Sequence, residues 1–278
     1  MSQCLRIAYL GPEGTFCEQA ARKYFQDNQC FIAYPTIRAV FDAVEQRKVA
    51  YGTVPVENSL EGSERRTLDL LFERKLMISG EIDLRVIHNL IVRPGTELRN
   101  VQVILSHPQA LAQCRQFLEK RFNEAELREV SSTARAVQQL PEVKNAAAIG
   151  TEMAARKYGM EIAIRQIEDD PNNFTRFFIL GREDGAITGR DKTSLIFSAK
   201  HEPGALFQVL EVFAVRGINL TKIESRPQRG TPWEYVFYLD FEGHRTEQRS
   251  SEALEAMQEK CIFVKVLGSY PRSTNTYA

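Results

Sequence analysis

Arg6-Ile7-Ala8-Tyr9-Leu10 is followed by Gly11-Pro12-Glu13-Gly14-Thr15 and then by Phe16–Phe25. An apolar run leads into a turn built on glycine and proline, and then into a segment of helical periodicity. That reads as strand, loop, helix. Thr15 with Glu18 fits a capping box, which places the helix start at Thr15. The same order repeats along the chain. Further strands are predicted at Phe31–Tyr34, Tyr51–Val54, Val101–Leu105, Ala146–Ile149 and Glu161–Ile167. Further helices are predicted at Ile37–Arg47, Ser63–Arg74, Pro108–Arg121, Thr133–Leu140 and Glu152–Tyr158. Strands separated by single helices specify a mostly parallel sheet covered by helices. A longer β-rich stretch, Leu76–Pro94, breaks the alternation and reads as a crossover between two lobes.

After about residue 182 the pattern changes. Arg182–Asp191 is polar, holds two glycines and lacks apolar periodicity, so it reads as a linker. Beyond it come strands at Thr193–Ala199, Ile218–Glu224, Glu234–Phe241 and Ile262–Leu267, with helices at Ala205–Arg216 and Ser250–Lys260. The order βαββαβ is the ferredoxin-like unit. At about 80 residues it is small enough to need a partner surface. The tail Pro271–Ala278 is polar and reads as frayed.

Composition narrows the function classes. With 36 basic and 36 acidic residues in 278, the net charge is zero, which argues against nucleic-acid binding. No apolar run approaches the ~20 residues of a membrane span. The five cysteines and four histidines are scattered, with no metal-ligand spacing, so neither metal nor cofactor is expected. Cys4, Cys17, Cys30, Cys114 and Cys261 read as reduced thiols of a cytoplasmic protein. The opening residues carry no secretory pattern.

The chemistry is sought where strands end. In a parallel sheet, helix starts gather at the carboxyl edge, and their free N–H groups suit an anion. Thr15, Ser106 with Gln109, the Ser131–Thr133 run and Thr151 are such starts, although a single cap is usually only a cap. Val54–Ser63 is a polar loop after a strand, with Glu57, Asn58 and Ser59 too dense to be core. In Ile167–Phe177, Arg176 either grips a carboxylate or pairs with Asp169 or Asp170 as a loop staple.

Four segments, in order, carry a resemblance. Gly11–Phe16, Val54–Ser59, Ser106–Cys114 and Asn173–Phe177 resemble the prephenate dehydratase family along nearly the whole first domain. Gly204-Ala205-Leu206 and Glu224-Ser225-Arg226-Pro227 resemble an ACT domain. The resemblance implies a bilobal α/β catalytic domain of periplasmic-binding-protein type over residues 1–182, with lobes of about 1–78 plus 169–182 and 79–168. An α+β ferredoxin-like ACT domain would follow over 192–270. It leaves no stretch for the chorismate mutase domain that some relatives carry in front.

The implied reaction converts prephenate to phenylpyruvate with loss of water and carbon dioxide. The implied catalytic residues are Thr175, Glu57, Ser106 and Gln113. Asn58, Ser59, Thr15, Asn173, Arg176 and Phe177 would bind substrate. Gly204, Ala205, Leu206, Glu224, Ser225 and Arg226 would bind L-phenylalanine as inhibitor, in a homodimer or homotetramer. An alcohol is a poor acid, so Thr175 would donate a positioning hydrogen bond, with proton transfer that is either concerted or backed by a partner. Glu57, if kept protonated by burial, is the alternative donor. His107, before Pro108 at a helix start, reads as structural. Arogenate as substrate, and a non-catalytic amino-acid sensor, remain the competing readings.

Overall fold

In the computed structural model, residues 4–227 and 234–273 are described. The strands are β1 (Arg6–Leu10), β2 (Cys30–Tyr34), β3 (Tyr51–Asn58), β4 (Gly62–Ser63), β5 (Met77–Arg85), β6 (Asn89–Val92), β7 (Val103–Ser106), β8 (Glu126–Glu129), β9 (Ala146–Gly150), β10 (Glu161–Ile164), β11 (Phe174–Gly181), β12 (Asp191–Ala199), β13 (Leu220–Pro227), β14 (Tyr235–Glu242) and β15 (Cys261–Pro271). The helices are α1 (Phe16–Phe25), α2 (Ile37–Glu45), α3 (Arg65–Glu73), α4 (Pro108–Gln113), α5 (Arg115–Arg121), α6 (Thr133–Gln139), α7 (Glu152–Lys157), α8 (Ala205–Ala214) and α9 (Gln248–Gln258).

The chain divides into two compact units, Met1–Thr67 with Asp83–Phe177, and Leu68–Ile82 with Phe178–Ala278. The first holds two sheet systems. One runs β2-β1-β3-β11, with β1 parallel to both β2 and β3. The other has the order β10-β6-β9-β7-β8, with β7 parallel to β8 and β9 and β6 antiparallel to β9. Sequence order explains the two sheets. The chain crosses between them after β5, at residues 86–88, and returns between β10 and β11, at residues 165–173. These crossings run side by side: Val86 N donates to Asn173 O at 2.8 Å, and Ile167 N donates to His88 O at 2.9 Å. The expected lobe boundary at 78/79 therefore lies several residues later. The alanine-rich strand Ala146–Gly150 is wholly buried, and Ile91, Leu105, Val137 and Leu140 pack with its alanines. Small side chains there let α6 sit close to the sheet.

Three local expectations are corrected. Pro108–Arg121 is two helices, broken at Cys114 (φ −115°, ψ 18°). The Asp169 carboxylate accepts from Gln116 N and Phe117 N, so a distant residue starts the second helix. Ser106 does not cap α4; the cap is His107, whose Nδ1 accepts from Gln109 N at 3.3 Å. Cys4 and Cys30, read as reduced thiols, form a disulfide, because the pairing of Arg6 with Cys30 brings the ends of β1 and β2 together. Cys17, Cys114 and Cys261 are buried free thiols.

The second unit has the expected βαββαβ order, in a sheet of order β13-β14-β12-β15. Leu195, Phe197, Phe213, Leu239, Phe241 and Met257 form its core. It also takes in residues 68–82, which the sequence reading placed with the first domain. Physical ties account for that. Lys192 Nζ meets both Glu81 oxygens at 2.8 and 2.9 Å, Tyr238 donates to Leu68 O, and Lys265 Nζ donates to the carbonyls of Leu71, Phe72 and Arg74 at the end of α3. The predicted linker is ordered by the same logic: the Asp191 carboxylate accepts from Thr188 N and Gly189 N, and Gly185 N donates to Ser269 O. Residues 274–278 of the tail read as frayed lie outside the described residues.

Candidate active site

The first unit holds a cleft of about 320 Å³. Its lining draws on the ends of several strands and the starts of several helices: Gly11, Thr15 and Phe16 after β1, Asn58 at the end of β3, His107 and Gln109 at the start of α4, and Ser131, Ser132 and Thr133 at the start of α6. Thr175 at the start of β11, Gln113 at the end of α4 and His88 in the crossing segment complete it. Such convergence of helix starts at strand ends is what the parallel order predicts.

The caps around the cleft differ from a simple capping box. Thr15 Oγ1 donates to Leu10 O at 3.1 Å and makes no side-chain cap. Glu18 Oε2 accepts from Gly14 N at 2.7 Å instead. Gly14 has φ +87°, and a Cβ there would lie 2.9 Å from the Cα of Ala154, so only glycine fits. Thr151 Oγ1 donates to Gly14 O at 2.6 Å, and Ser132 caps α6 by accepting from Arg135 N.

A chain of amide hydrogen bonds crosses the site. Asn58 Oδ1 accepts from Leu60 N at 3.0 Å and Glu61 N at 3.1 Å. Backbone N–H groups only donate, so the Asn58 amide has one possible orientation. Its Nδ2 then donates to Asn173 Oδ1 at 2.7 Å, Thr175 Oγ1 at 2.9 Å and Phe174 O at 3.1 Å. Asn173 is thereby oriented too, and its Nδ2 donates to Gln113 Oε1 at 2.9 Å. The consequence for Thr175 is chemical. Its oxygen accepts from Asn58, so its own O–H hydrogen is left to donate elsewhere.

Several predicted site residues lie apart from the cleft lining. Ser106 is fully buried and donates to Ile149 O at 2.8 Å, and Phe177 is core; both positions differ from the expected contact with substrate. Ser59 ties β11 to the end of β3, donating through Oγ to Asn172 O and accepting from Phe174 N. Arg176 pairs with neither Asp169 nor Asp170. Its guanidinium meets Glu57 Oε2 at 3.3 Å and Asp83 Oδ1 at 3.4 Å. Glu57 is therefore an ion-pair partner of Arg176 and is not shut in an apolar pocket; its side chain is 32% exposed. His107 stays structural as expected, as the α4 cap, yet it also lines the cleft. Burial pushes its pKa below the ordinary histidine value.

His88 is the residue that the sequence reading missed. It is 2% exposed, with its Nε2 3.0 Å from Gln113 Oε1. Desolvation lowers its pKa, so it stays neutral. It has no motif around it, and only the fold brings it to Gln113.

In the second unit a cavity of about 560 Å³ is lined by Ala205, Leu206 and Ser225 among the predicted effector residues, with Lys200, His201 and Glu202 nearby. Gly204 caps α8 with φ +82°, a left-handed conformation that favours glycine. Glu224 and Arg226 are outside that lining: Glu224 meets Lys222 at 3.3 Å, and Arg226 meets Asp69 at 3.0 Å. No helix among the described residues is long and apolar enough to cross a membrane, and no cluster of metal-ligand residues is found among them.

Comparison with known proteins agrees with this anatomy. Residues 7–185 match the family Prephenate dehydratase, and residues 193–258 match the ACT domain. The bifunctional chorismate mutase/prephenate dehydratase of Aquifex aeolicus is 45% identical over 97% of this chain and 74% of its own length. The chloroplastic arogenate dehydratase/prephenate dehydratase 2 of Arabidopsis thaliana is 41% identical, again over 97% of this chain and 74% of its own. Among solved structures, the prephenate dehydratase of Arthrobacter aurescens, in complex with L-Phe, superposes with a TM-score of 0.90 at 33% identity, covering 99% of this chain and 92% of that one. Two ordered sheets with a cleft at their strand ends, and a βαββαβ unit later in the chain, thus come with matching sequence along the chain, and this chain belongs to the prephenate dehydratase family, with an ACT domain.

Proposed function

We propose that the first unit's cleft takes prephenate to phenylpyruvate, with the Thr175 hydroxyl donating to the departing ring hydroxyl. Prephenate dianion plus one proton gives phenylpyruvate anion, carbon dioxide and water. Thr175 Oγ1 passes its proton to the leaving hydroxyl and takes one back from solvent water, and the electron pair of the breaking carbon–carboxylate bond enters the ring as it becomes aromatic. The protein's task is to assist hydroxide departure and to leave the departing carboxylate unclamped. The observation that carries this reading is the Asn58 Nδ2 to Thr175 Oγ1 hydrogen bond, which turns the Thr175 proton outward. Asn58 also stabilises charge on Oγ1 as that proton moves, which answers the weakness of an alcohol as an acid. Gln113 and the helix starts at Thr15, His107 and Ser132 supply donors for the carboxylate that the product keeps. Glu57 and Arg176 serve by bracing β3 against β11. Ser106 and Phe177 support the site from the buried side.

L-phenylalanine is the proposed effector, held at the start of α8 beside Ala205, Leu206 and Ser225, where the first turn's N–H groups suit a carboxylate. Inhibition requires that it favour one conformational state. Exposed Phe207, Val215, Ile223 and Ile262 in the second unit support self-association as a homodimer or homotetramer. A cytoplasmic setting fits Cys17, Cys114 and Cys261 as free thiols, and the Cys4–Cys30 disulfide counts against it.

The test incubates purified protein with prephenate and, separately, with arogenate, with and without L-phenylalanine. Phenylpyruvate from prephenate, suppressed by added phenylalanine, is the expected result. Phenylalanine formed from arogenate in preference would move the substrate assignment, and no product from either would favour the sensor reading.

A further inference from the structure

His88 has an assigned place in the fold but no role in the reaction as described above. It lies between β5 and β6, where the chain crosses from one sheet system to the other. Its backbone is held on both sides: His88 N donates to Glu168 Oε2 at 2.9 Å, and His88 O accepts from Ile167 N. Its ring packs edge-on against Phe16, with centroids 5.7 Å apart. Position and ring plane are therefore fixed before any ligand arrives.

The amide chain dictates its protonation. Gln113 Oε1 already accepts from Asn173 Nδ2, whose direction traces back through Asn58 to the backbone N–H groups of Leu60 and Glu61. An oxygen cannot donate, so the 3.0 Å contact requires His88 to carry its proton on Nε2. Two donors, Asn173 Nδ2 and His88 Nε2–H, then fasten the same Gln113 oxygen. The opposite end of that carboxamide, Gln113 Nε2, is buried and has no protein partner, and His88 Nδ1 is likewise buried and unpaired. A buried amide NH2 left without an acceptor is costly unless a ligand oxygen meets it. Gln113 and His88 both line the cleft.

We infer that His88, as its neutral Nε2–H tautomer, is a positioning residue for the dehydration: it locks the Gln113 carboxamide so that its NH2 is presented to an oxygen of the bound substrate. This rests on the dehydratase reading of the cleft. Without His88, a single hydrogen bond from Asn173 holds the amide, and rotation about the terminal torsion would present an oxygen to an anionic substrate.

Two measurements test it. Nitrogen-15 NMR of histidine-labelled protein without substrate, with His88→Gln to assign the signal, reads the tautomer directly. A protonated Nε2 and a bare Nδ1 at neutral pH are expected; the reverse tautomer overturns the inference whatever the enzyme does. Steady-state kinetics with prephenate then follow His88→Leu, His88→Gln, Gln113→Leu and the double variant. The expected loss for His88→Leu is about tenfold in kcat/KM, the scale of one hydrogen bond. His88→Gln, whose amide nitrogen can stand near the lost Nε2, restores most of it. In the Gln113→Leu background, His88→Leu costs little more, because the group it positioned is gone. Equal losses for His88→Leu in both backgrounds, or no rescue by His88→Gln, would refute the positioning role. Wild-type protein inactive on prephenate would refute the dehydratase reading instead, with the tautomer result standing apart from it.

Discussion

Asn58→Asp keeps the size and shape of the side chain and changes one atom, the amide nitrogen, into an oxygen. Oδ1 can still accept from Leu60 N and Glu61 N. The altered atom faces three acceptors, Asn173 Oδ1, Thr175 Oγ1 and Phe174 O, at 2.7, 2.9 and 3.1 Å. When the new carboxyl is charged, Thr175 turns its hydrogen back to donate to it, and the proton meant for the leaving hydroxyl is lost to the substrate. Removing one such preorganised donor costs on the order of 10²–10³-fold in kcat, about 2.7–4 kcal/mol. Stability falls by about 1–3 kcal/mol, since a buried acceptor at Asn173 loses its donor. Burial and the three facing oxygens disfavour the charged carboxyl and raise its pKa above the ordinary aspartate range. Activity of the variant therefore rises as pH falls through that raised pKa, because the protonated carboxyl can donate again. The assay is initial phenylpyruvate formation from prephenate between pH 5 and 8 (roughly the range in which most domains are stable), alongside wild type and denaturant unfolding. A variant with wild-type kcat at pH 7.5, or with a loss that does not shrink toward acid pH, would refute the claim that Asn58 directs the Thr175 proton.

Other outcomes follow from neighbouring contacts. Glu57→Gln should leave the alkaline limb of the pH–rate profile in place, because Glu57 is held by Arg176; loss of that limb, where an essential acid is deprotonated, would make Glu57 the general acid. In the second unit, Lys192 and Glu81 are 5% and 2% exposed. Glu81→Leu alone should cost about 3–5 kcal/mol by stranding a buried cation, while adding Lys192→Met should recover most of it, as read from denaturant midpoints. His88 and His107 have pKa values below the ordinary 6.5 in the folded protein, because burial disfavours the imidazolium. As pH falls below 6.5 the unfolded chain takes up protons that the folded protein refuses, so stability drops, by up to about 1.4 kcal/mol per pH unit for the deeply buried His88 and by less for the half-buried, solvent-screened His107. His88→Gln should flatten that slope, since His88 is the more buried of the two; an unchanged slope would contradict it.

Much of the fold was legible because it is written locally. β1 at Arg6–Leu10 and α1 at Phe16–Phe25 fall where the apolar run and the helical period put them. The order of elements in the second unit is likewise periodicity alone. What the sequence hid depends on partners far along the chain. The break at Cys114 needs Asp169 to cap the second helix, 52 residues beyond Phe117. The assignment of residues 68–82 to the second unit rests on Lys192, Tyr238 and Lys265, which no local pattern connects to them. In the site, the Asn58, Gln113 and Asn173–Phe177 segments could be picked out, but not which atom donates to which. Arg176 shows the limit: carboxylate grip and a staple to Asp169 were both plausible in sequence, and the fold gave it Glu57 and Asp83 instead. His88 had no signal at all, because its meaning lies in a contact with Gln113 across 25 residues.

In the proposed reaction Thr175 delivers a proton to the leaving hydroxyl of prephenate. Phenylpyruvate production by Thr175→Ala and Thr175→Ser, measured against wild type at saturating prephenate, tests it most directly. A fall on the order of 10²–10⁴-fold is expected for Thr175→Ala, the usual worth of a positioned proton donor, and retention of most turnover for Thr175→Ser, which keeps the hydroxyl. Near-normal turnover by Thr175→Ala would contradict it.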